Sequence, residues 1–187
     1  PAGGVNLKQN QPPLVEEDSL VNKRLPAATA FARANGIDRV VMDAELRNLS
    51  IVSAGKAYLD VRQALADLGL DESACTRLGI RVYKPGLIWP MDKIRLTDFA
   101  QGSKAVLVVE EKRPVMEDQI ARHLYAVPAD QRPALAGKQD LNGAALLSST
   151  GELSGAQVRR AISTMLEQLD IHDAHMQTHV DAFRELE

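Results

Sequence analysis

Ala105-Val106-Leu107-Val108-Val109 is apolar at every position. An unbroken apolar run of strand length implies a strand buried on both faces, at the centre of a sheet with helices on either side. Three other segments fit the same sheet. Arg39-Val40-Val41-Met42 and Leu49-Ser50-Ile51-Val52 are short β-branched runs, and Ile80-Arg81-Val82-Tyr83 alternates with period two. Helical text separates them. Tyr58, Val61, Leu65 and Leu68 recur at helical spacing up to Gly69, as an amphipathic helix requires. Asp92 is a cap for a helix running to Gln101, with Gly102 as its stop, and Pro114 opens another that continues to about Tyr125. Strands alternating with helices of this length predict βαβ units and a mostly parallel sheet. The fold class expected is α/β, a doubly wound three-layer sandwich.

The flanks are less regular. Residues 1–20 are rich in Gly, Pro and Asn and then acidic, which reads as a tail. A helix is expected from Leu25, with Pro26 in its first turn and Gly36 as its stop. Residues 128–133 break the pattern, and 135–149, containing Asn142-Gly143, read as a loop or an edge hairpin. Ser154 and Gln157 form a capping box ahead of the apolar stripe Val158, Ala161, Ile162, Met165, Leu166 and Leu169. Residues 171–187 read as a polar helical extension, less firmly docked. The expected division is therefore a tail (1–20), one α/β domain (21–170) and a C-terminal helical extension (171–187). No internal repeat is visible.

Composition excludes several classes. With 22 Lys+Arg against 25 Asp+Glu, there is no basic excess to neutralise a phosphate backbone, which argues against nucleic acid as the main partner. No apolar run approaches the ~20 residues of a membrane helix. Pro1-Ala2-Gly3-Gly4 has neither a basic nor an apolar region of a signal peptide. The expected setting is the cytoplasm. The single cysteine, Cys75, rules out an intrachain disulfide, a four-cysteine zinc site and a self-contained iron–sulfur cluster. It reads as a small buried residue.

Four places carry chemistry worth weighing. Ser53-Ala54-Gly55-Lys56 joins a strand to a helix, where a phosphate-binding loop would sit. Ser50 stands where that loop needs its first glycine, and Ala57 replaces the magnesium-binding hydroxyl. What remains is a weak anion site at Ser53, Gly55 and Lys56. Glu110-Glu111-Lys112-Arg113 closes the central strand, at the end where open α/β sheets bind ligands. Mixed charges with no nucleophile or histidine beside them read instead as a rim against a neighbouring domain. Lys84-Pro85-Gly86-Leu87-Ile88-Trp89-Pro90 puts the only tryptophan in an apolar loop, the composition of an anchor. The candidate interface thus comprises Lys84, Pro85, Trp89, Pro90, Glu110, Glu111, Lys112 and Arg113, and a homodimer is a second way to cover it. His172, His175 and His179 read as one helical face, but three ligands spread over about 10 Å of straight helix do not converge on one metal. The solvated-face reading is preferred.

Three segments, taken together, carry a resemblance. Ile51 to Val61, Gly79 to Pro90, and Val108 to Pro114 continuing through Glu117-Asp118-Gln119 resemble indolepyruvate ferredoxin oxidoreductases, thiamine-dependent 2-oxoacid:ferredoxin oxidoreductases. The resemblance runs from about Leu25 to Ala126, with Gly137 to Val158 compatible. It is to an internal domain similar to the transketolase C-terminal domain, which implies a five-stranded, mostly parallel sheet with one antiparallel edge. It also implies a parent that oxidatively decarboxylates an aryl-2-oxoacid with coenzyme A, reduces ferredoxin, and holds thiamine diphosphate, magnesium and iron–sulfur clusters. The parent's Gly-Asp-Gly thiamine motif and its cysteine-rich motifs do not occur here, so no catalytic, cofactor or metal residue carries over. The expectation is a non-catalytic structural and interface domain whose partners are other domains or subunits of that enzyme. The alternative is an independent module binding a small anion after Gly55.

Overall fold

The computed structural model describes residues 4–6 and 10–184. Parts of the expected tail and extension (1–3, 7–9 and 185–187), and most of the stretch read for a signal peptide, lie outside the described residues. Five strands form one sheet: β1 (Arg39–Met42), β2 (Leu49–Ser53), β3 (Ile80–Lys84), β4 (Ala105–Val109) and β5 (Ala134–Ala136), in the order β1-β3-β2-β4-β5. β2 pairs parallel with both β3 and β4, and β4 with β5. β1 runs antiparallel to β3, and so supplies the antiparallel edge that the resemblance implied.

Alternation along the strands divides the interior into two cores. Leu49, Ile51, Ile80, Val82 and Leu107 face one side, against α3 (Gly55–Asp67), α4 (Glu72–Leu78), α7 (Gly155–Gln168) and α8 (Ala174–Arg184). Val52, Tyr83, Val106 and Val108 face the other, against α5 (Lys93–Ala100) and α6 (Val115–Tyr125). Every residue of β2 and β4 is buried, as the apolar run demanded. Full burial of one such aliphatic side chain stabilises by about 1.5–3 kcal/mol.

Local signals set the helix ends. Asp92 accepts from the amides of Ile94 and Arg95, and Ser154 and Gln157 form the reciprocal capping box. Gly36, Gly69, Gly79 and Gly102 have positive φ at the ends of their elements. At Gly79 a side chain would also meet the backbone of Leu46 and Asn48.

Three expectations need correction. The N-terminal helix begins at Pro13, not Leu25: α1 (Pro13–Ser19) passes through a π-helical turn (Leu20–Arg24) into α2 (Leu25–Ala34). Pro13 suits a first turn and Pro26 is absorbed where the π turn hands over. The extension is not loosely docked: Ile171, Met176 and Val180 are buried in the first core, and Arg77 pairs with Asp173 at 2.8 Å. Between Pro133 and Gly137 lies a strand, β5, followed by a hairpin-like bridge from Gln139 to Ala145.

Candidate functional site

Because β2, β3 and β4 are parallel, the loops that follow them leave from one edge of the sheet. α3 leaves β2 toward the first core and α6 leaves β4 toward the second. The crevice between the ends of β2 and β4 is therefore the topological switch point, where doubly wound domains hold ligands.

Here the chain's own groups close that crevice. Ser53 is buried and its hydroxyl donates to the Val109 carbonyl at 2.8 Å. Lys56 donates to Asp60 and to the Leu153 carbonyl, both at 2.9 Å. The bond to Asp60, helped by the charge of Glu111, raises its pKa. Lys138 donates to the carbonyls of Glu110 at 2.7 Å and Ser148 at 3.3 Å. Segment 148–153 is thus tethered over the switch point by two lysines. Of the anion site expected at Ser53, Gly55 and Lys56, both side chains already have partners inside the molecule.

The loop after β4 also differs from its reading as a charged rim. Glu110 is buried, and its carboxylate accepts from the amides of Val115, Met116 and Glu117 at 2.8–3.1 Å. It caps α6, a favourable place for a negative charge. Beside it, burial pushes the Glu117 carboxyl up, and Glu110 acts in the same direction, while the amide of Lys138 opposes at 2.9 Å. Burial likewise pushes the Lys138 ammonium down. Glu111 is half-buried, and Lys112 and Arg113 face outward.

The loop after β3 is anchored from below. Asp38 accepts from the Tyr83 hydroxyl at 2.9 Å and from the amides of Gly86 and Leu87 at 2.8 and 3.2 Å. Pro85 is buried, so it belongs to this inner side and not to a contact surface, and the Lys84 ammonium lies 4.8 Å from the centre of the Tyr58 ring. Gln119 of α6 spans the far side, donating to the carbonyls of Ile88 and Val115 and accepting from the amide of Met91. Arg33 grips Asp92 with two bonds of 2.6 and 2.7 Å, which holds the Asp92 carboxyl below the usual carboxylate range. What emerges is a fixed apolar patch of Ile88, Trp89 and Val115, exposed by 47, 57 and 48%, with Pro90 half-buried behind a cis peptide bond. Asp38 and Gln119 carry no local sequence signal. Their long-range bonds join residues 28 to 49 positions apart.

The histidines separate. His172 precedes α8 and bonds Asp170 at 2.8 Å, so it leaves the expected face. His175 and His179 meet edge to face, 4.6 Å between centroids, over Gly69, where a Cβ would lie 2.7–2.9 Å from their rings. Cys75 is buried in α4 and its thiol faces the Leu70 carbonyl at 3.6 Å. Burial pushes its pKa up to about 12.

Fold and edge define a doubly wound α/β/α domain whose switch-point crevice is filled by its own chain and whose neighbouring loop presents a fixed apolar patch. The chain belongs to the family described as the indolepyruvate ferredoxin oxidoreductase middle domain, which matches residues 38–186. It is 32% identical over 132 residues to indolepyruvate oxidoreductase subunit IorA of Methanothermobacter marburgensis, covering 71% of this chain and 19% of that protein. The corresponding subunit of Pyrococcus abyssi is 38% identical over 72 residues, 38% of this chain and 10% of that one. The chain thus spans a fifth or less of the length of these relatives. Among solved structures, a 2-oxoglutarate:ferredoxin oxidoreductase from Magnetococcus marinus matches at a TM-score of 0.50 and 16% identity, over 84% of this chain and 24% of that one. That likeness concerns the fold.

The donor groups at hand do not fit the family's cofactors. A single cysteine cannot hold an iron–sulfur cluster by itself. Among the described residues at the switch point, Lys56, Lys138 and the Glu110 carboxylate are engaged within the chain, a poor fit for a magnesium pyrophosphate.

Proposed function

We propose that this chain is a non-catalytic structural and interface domain of an indolepyruvate (aryl-2-oxoacid) ferredoxin oxidoreductase. The parent oxidatively decarboxylates a 2-oxoacid to an acyl-CoA and passes electrons to ferredoxin. Thiamine diphosphate, magnesium and the iron–sulfur clusters belong to its other domains, and coenzyme A and ferredoxin meet this chain only through them. The setting is the cytoplasm; among the described residues no helix is long and apolar enough to cross a membrane.

The observation that carries this reading is the patch of Ile88, Trp89 and Val115 in a chain that matches a middle domain. An aromatic anchor in a loop held from both sides, with Lys112 and Arg113 facing outward on the adjoining loop, has the anatomy of a protein contact. Its partners are other domains or subunits of the parent.

Trp89 is the only tryptophan of this chain, so the emission of 7-azatryptophan incorporated there, excited apart from any tryptophan of the partner, reports the contact directly. Adding the separately produced remainder of the enzyme is expected to shift that emission to the blue and to form a complex by light scattering. Trp89→Ala is expected to weaken the complex by roughly tenfold or more while leaving the fold intact. Unchanged emission with no complex would overturn the reading. Calorimetry with thiamine diphosphate and magnesium checks the non-catalytic half: micromolar binding to this chain alone would defeat it.

A further inference from the structure

A cleft enters the second core at the end of the sheet opposite the switch point. It lies between the end of α5, which leads into β4, and the loop after α6, which leads into β5. Its volume is about 260 Å³, and it reaches the buried core residues Ala100 and Leu124. Ala126, Val127 and Pro128 form its outer wall. That wall is braced from within the chain. The Arg132 guanidinium donates to the carbonyls of Tyr125 and Val127 at 2.8 and 2.9 Å, and the Gln131 amide to the Pro128 carbonyl at 3.0 Å. The cleft is thus formed before anything enters it, as small-molecule sites commonly are.

The lining decides what fits. None of the residues around the cleft is charged, so nothing there offsets the cost of bringing an ion out of water. The volume exceeds the ~150 Å³ of an apolar cavity that admits benzene, which leaves room for a second ring. Three polar side chains, Thr97, Gln101 and Gln131, border the cleft, and none makes a side-chain hydrogen bond among the described residues. Gln101 and Gln131 are exposed, whereas Thr97 Oγ1 is buried. A buried hydroxyl without a partner is costly, and a helical threonine has two accessible χ1 rotamers. Turning from one to the other breaks no hydrogen bond here.

We propose that this cleft binds a neutral bicyclic aromatic molecule bearing one hydroxyl or amino group. The rings lie against Leu124 and Val127, and the polar group takes the Thr97 hydroxyl as its partner after a single χ1 rotation. The apolar walls supply the affinity, and Thr97 fixes the orientation. The site is independent of the interdomain contact, because the Trp89 loop leaves the other end of the sheet.

Methyl NMR on the 187-residue chain, titrated with 2-naphthol, tests this. The expected result is saturable binding with a dissociation constant on the order of 0.1 mM. Shifts are expected at Ala100, Leu124 and Val127 and not in the Trp89 loop. 2-Naphthoate, the same rings with a negative charge, should bind roughly tenfold more weakly. Thr97→Val keeps the shape and removes the hydroxyl, and should weaken 2-naphthol roughly fivefold, while Thr97→Ser should not. Ala126→Phe, at the exposed mouth, should abolish binding and leave the α7 methyl shifts unchanged. No saturable shifts at the cleft, equal binding of 2-naphthoate, or indifference to Thr97→Val would each overturn the proposal. None of these readouts involves Trp89, so either proposal can fail alone.

Discussion

The two cores on either side of the sheet are built differently. The core under α3, α7 and α8 is packed from aliphatic side chains, from Leu49 and Ile51 to Ile162 and Met165, with the buried Ser53 at its edge bonded to the Val109 carbonyl. The core under α5 and α6 has polar groups threaded into it. Ser50 and Ser103 share a 2.7 Å hydroxyl bond, and Arg81 reaches Asp43 and the Phe99 carbonyl, both at 2.6 Å, with its guanidinium 4.4 Å from the Phe99 ring. Tyr83 bonds Asp38, and its hydroxyl is pushed up by burial and by that carboxylate. Thr97 Oγ1 and His123 Nε2 are buried there without a partner among the described residues. Buried polar groups stabilise little on balance, but they are costly to leave unpaired, so they specify geometry. The first core holds the sheet together. The second fixes where the loops stand.

That contrast can be broken from its strong side first. Ile162→Ala in the first core is expected to cost about 2–5 kcal/mol, the range for aliphatic truncation in a packed interior. Chemical denaturation measures it, and a loss below about 1 kcal/mol would show that this core does not dominate stability. Arg81→Met in the second core should cost about 1–3 kcal/mol, chiefly by leaving the buried Phe99 carbonyl without its donor and Asp43 without its ion pair. Asp38→Ala should cost about 1–2 kcal/mol, and its sharper signature is local. Hydrogen exchange at the Gly86 and Leu87 amides should quicken and Trp89 anisotropy fall, while α7 amides stay protected. Uniform loosening of both cores would erase the distinction.

The smallest effect concerns pH. Glu117 has its carboxyl raised in the folded chain by burial, so the folded state holds its proton to higher pH than the unfolded state does. Its contribution is therefore greatest below the ordinary carboxylate pKa and is lost as pH rises through the raised value. Glu117→Gln keeps an oxygen for the Lys138 amide and removes the titration. The expected result is a flatter stability curve across that window and a gain under about 1 kcal/mol at neutral pH, discounted because the site is half-open. An unchanged slope would assign the pH dependence elsewhere.

How much of this was readable depended on how local each signal was. The four strands of the apolar pattern, the Asp92 cap and the Ser154–Gln157 box all lie within a few residues of what they control. β5 is three residues between Pro133 and Gly137, too short to establish a period. α8 looked polar because Met176 and Val180 are set among His, Gln and Thr, and the core that buries them is assembled from residues of α3 and α7 elsewhere in the chain. Glu110 looked like a surface charge because nothing in its own run announces that three amides of α6 will turn to meet it. Of the candidate surface, Trp89, Lys112 and Arg113 face outward, while Pro85 and Glu110 are buried, as is Ser53 of the candidate anion site, among neighbours that only the folded chain supplies.

Cys75 has a consequence of a different kind. Its thiol lies under α4 with its ionisation pushed to about 12, so in the closed domain it is both shielded and almost wholly un-ionised near neutrality. An alkylating reagent can reach it only when α4 lifts from the sheet, and the ordinary thiolate fraction then returns. The labelling rate of one atom therefore meters the opening of one helix. The domain carries a stopwatch for its own local unfolding, readable by mass with no engineered residue.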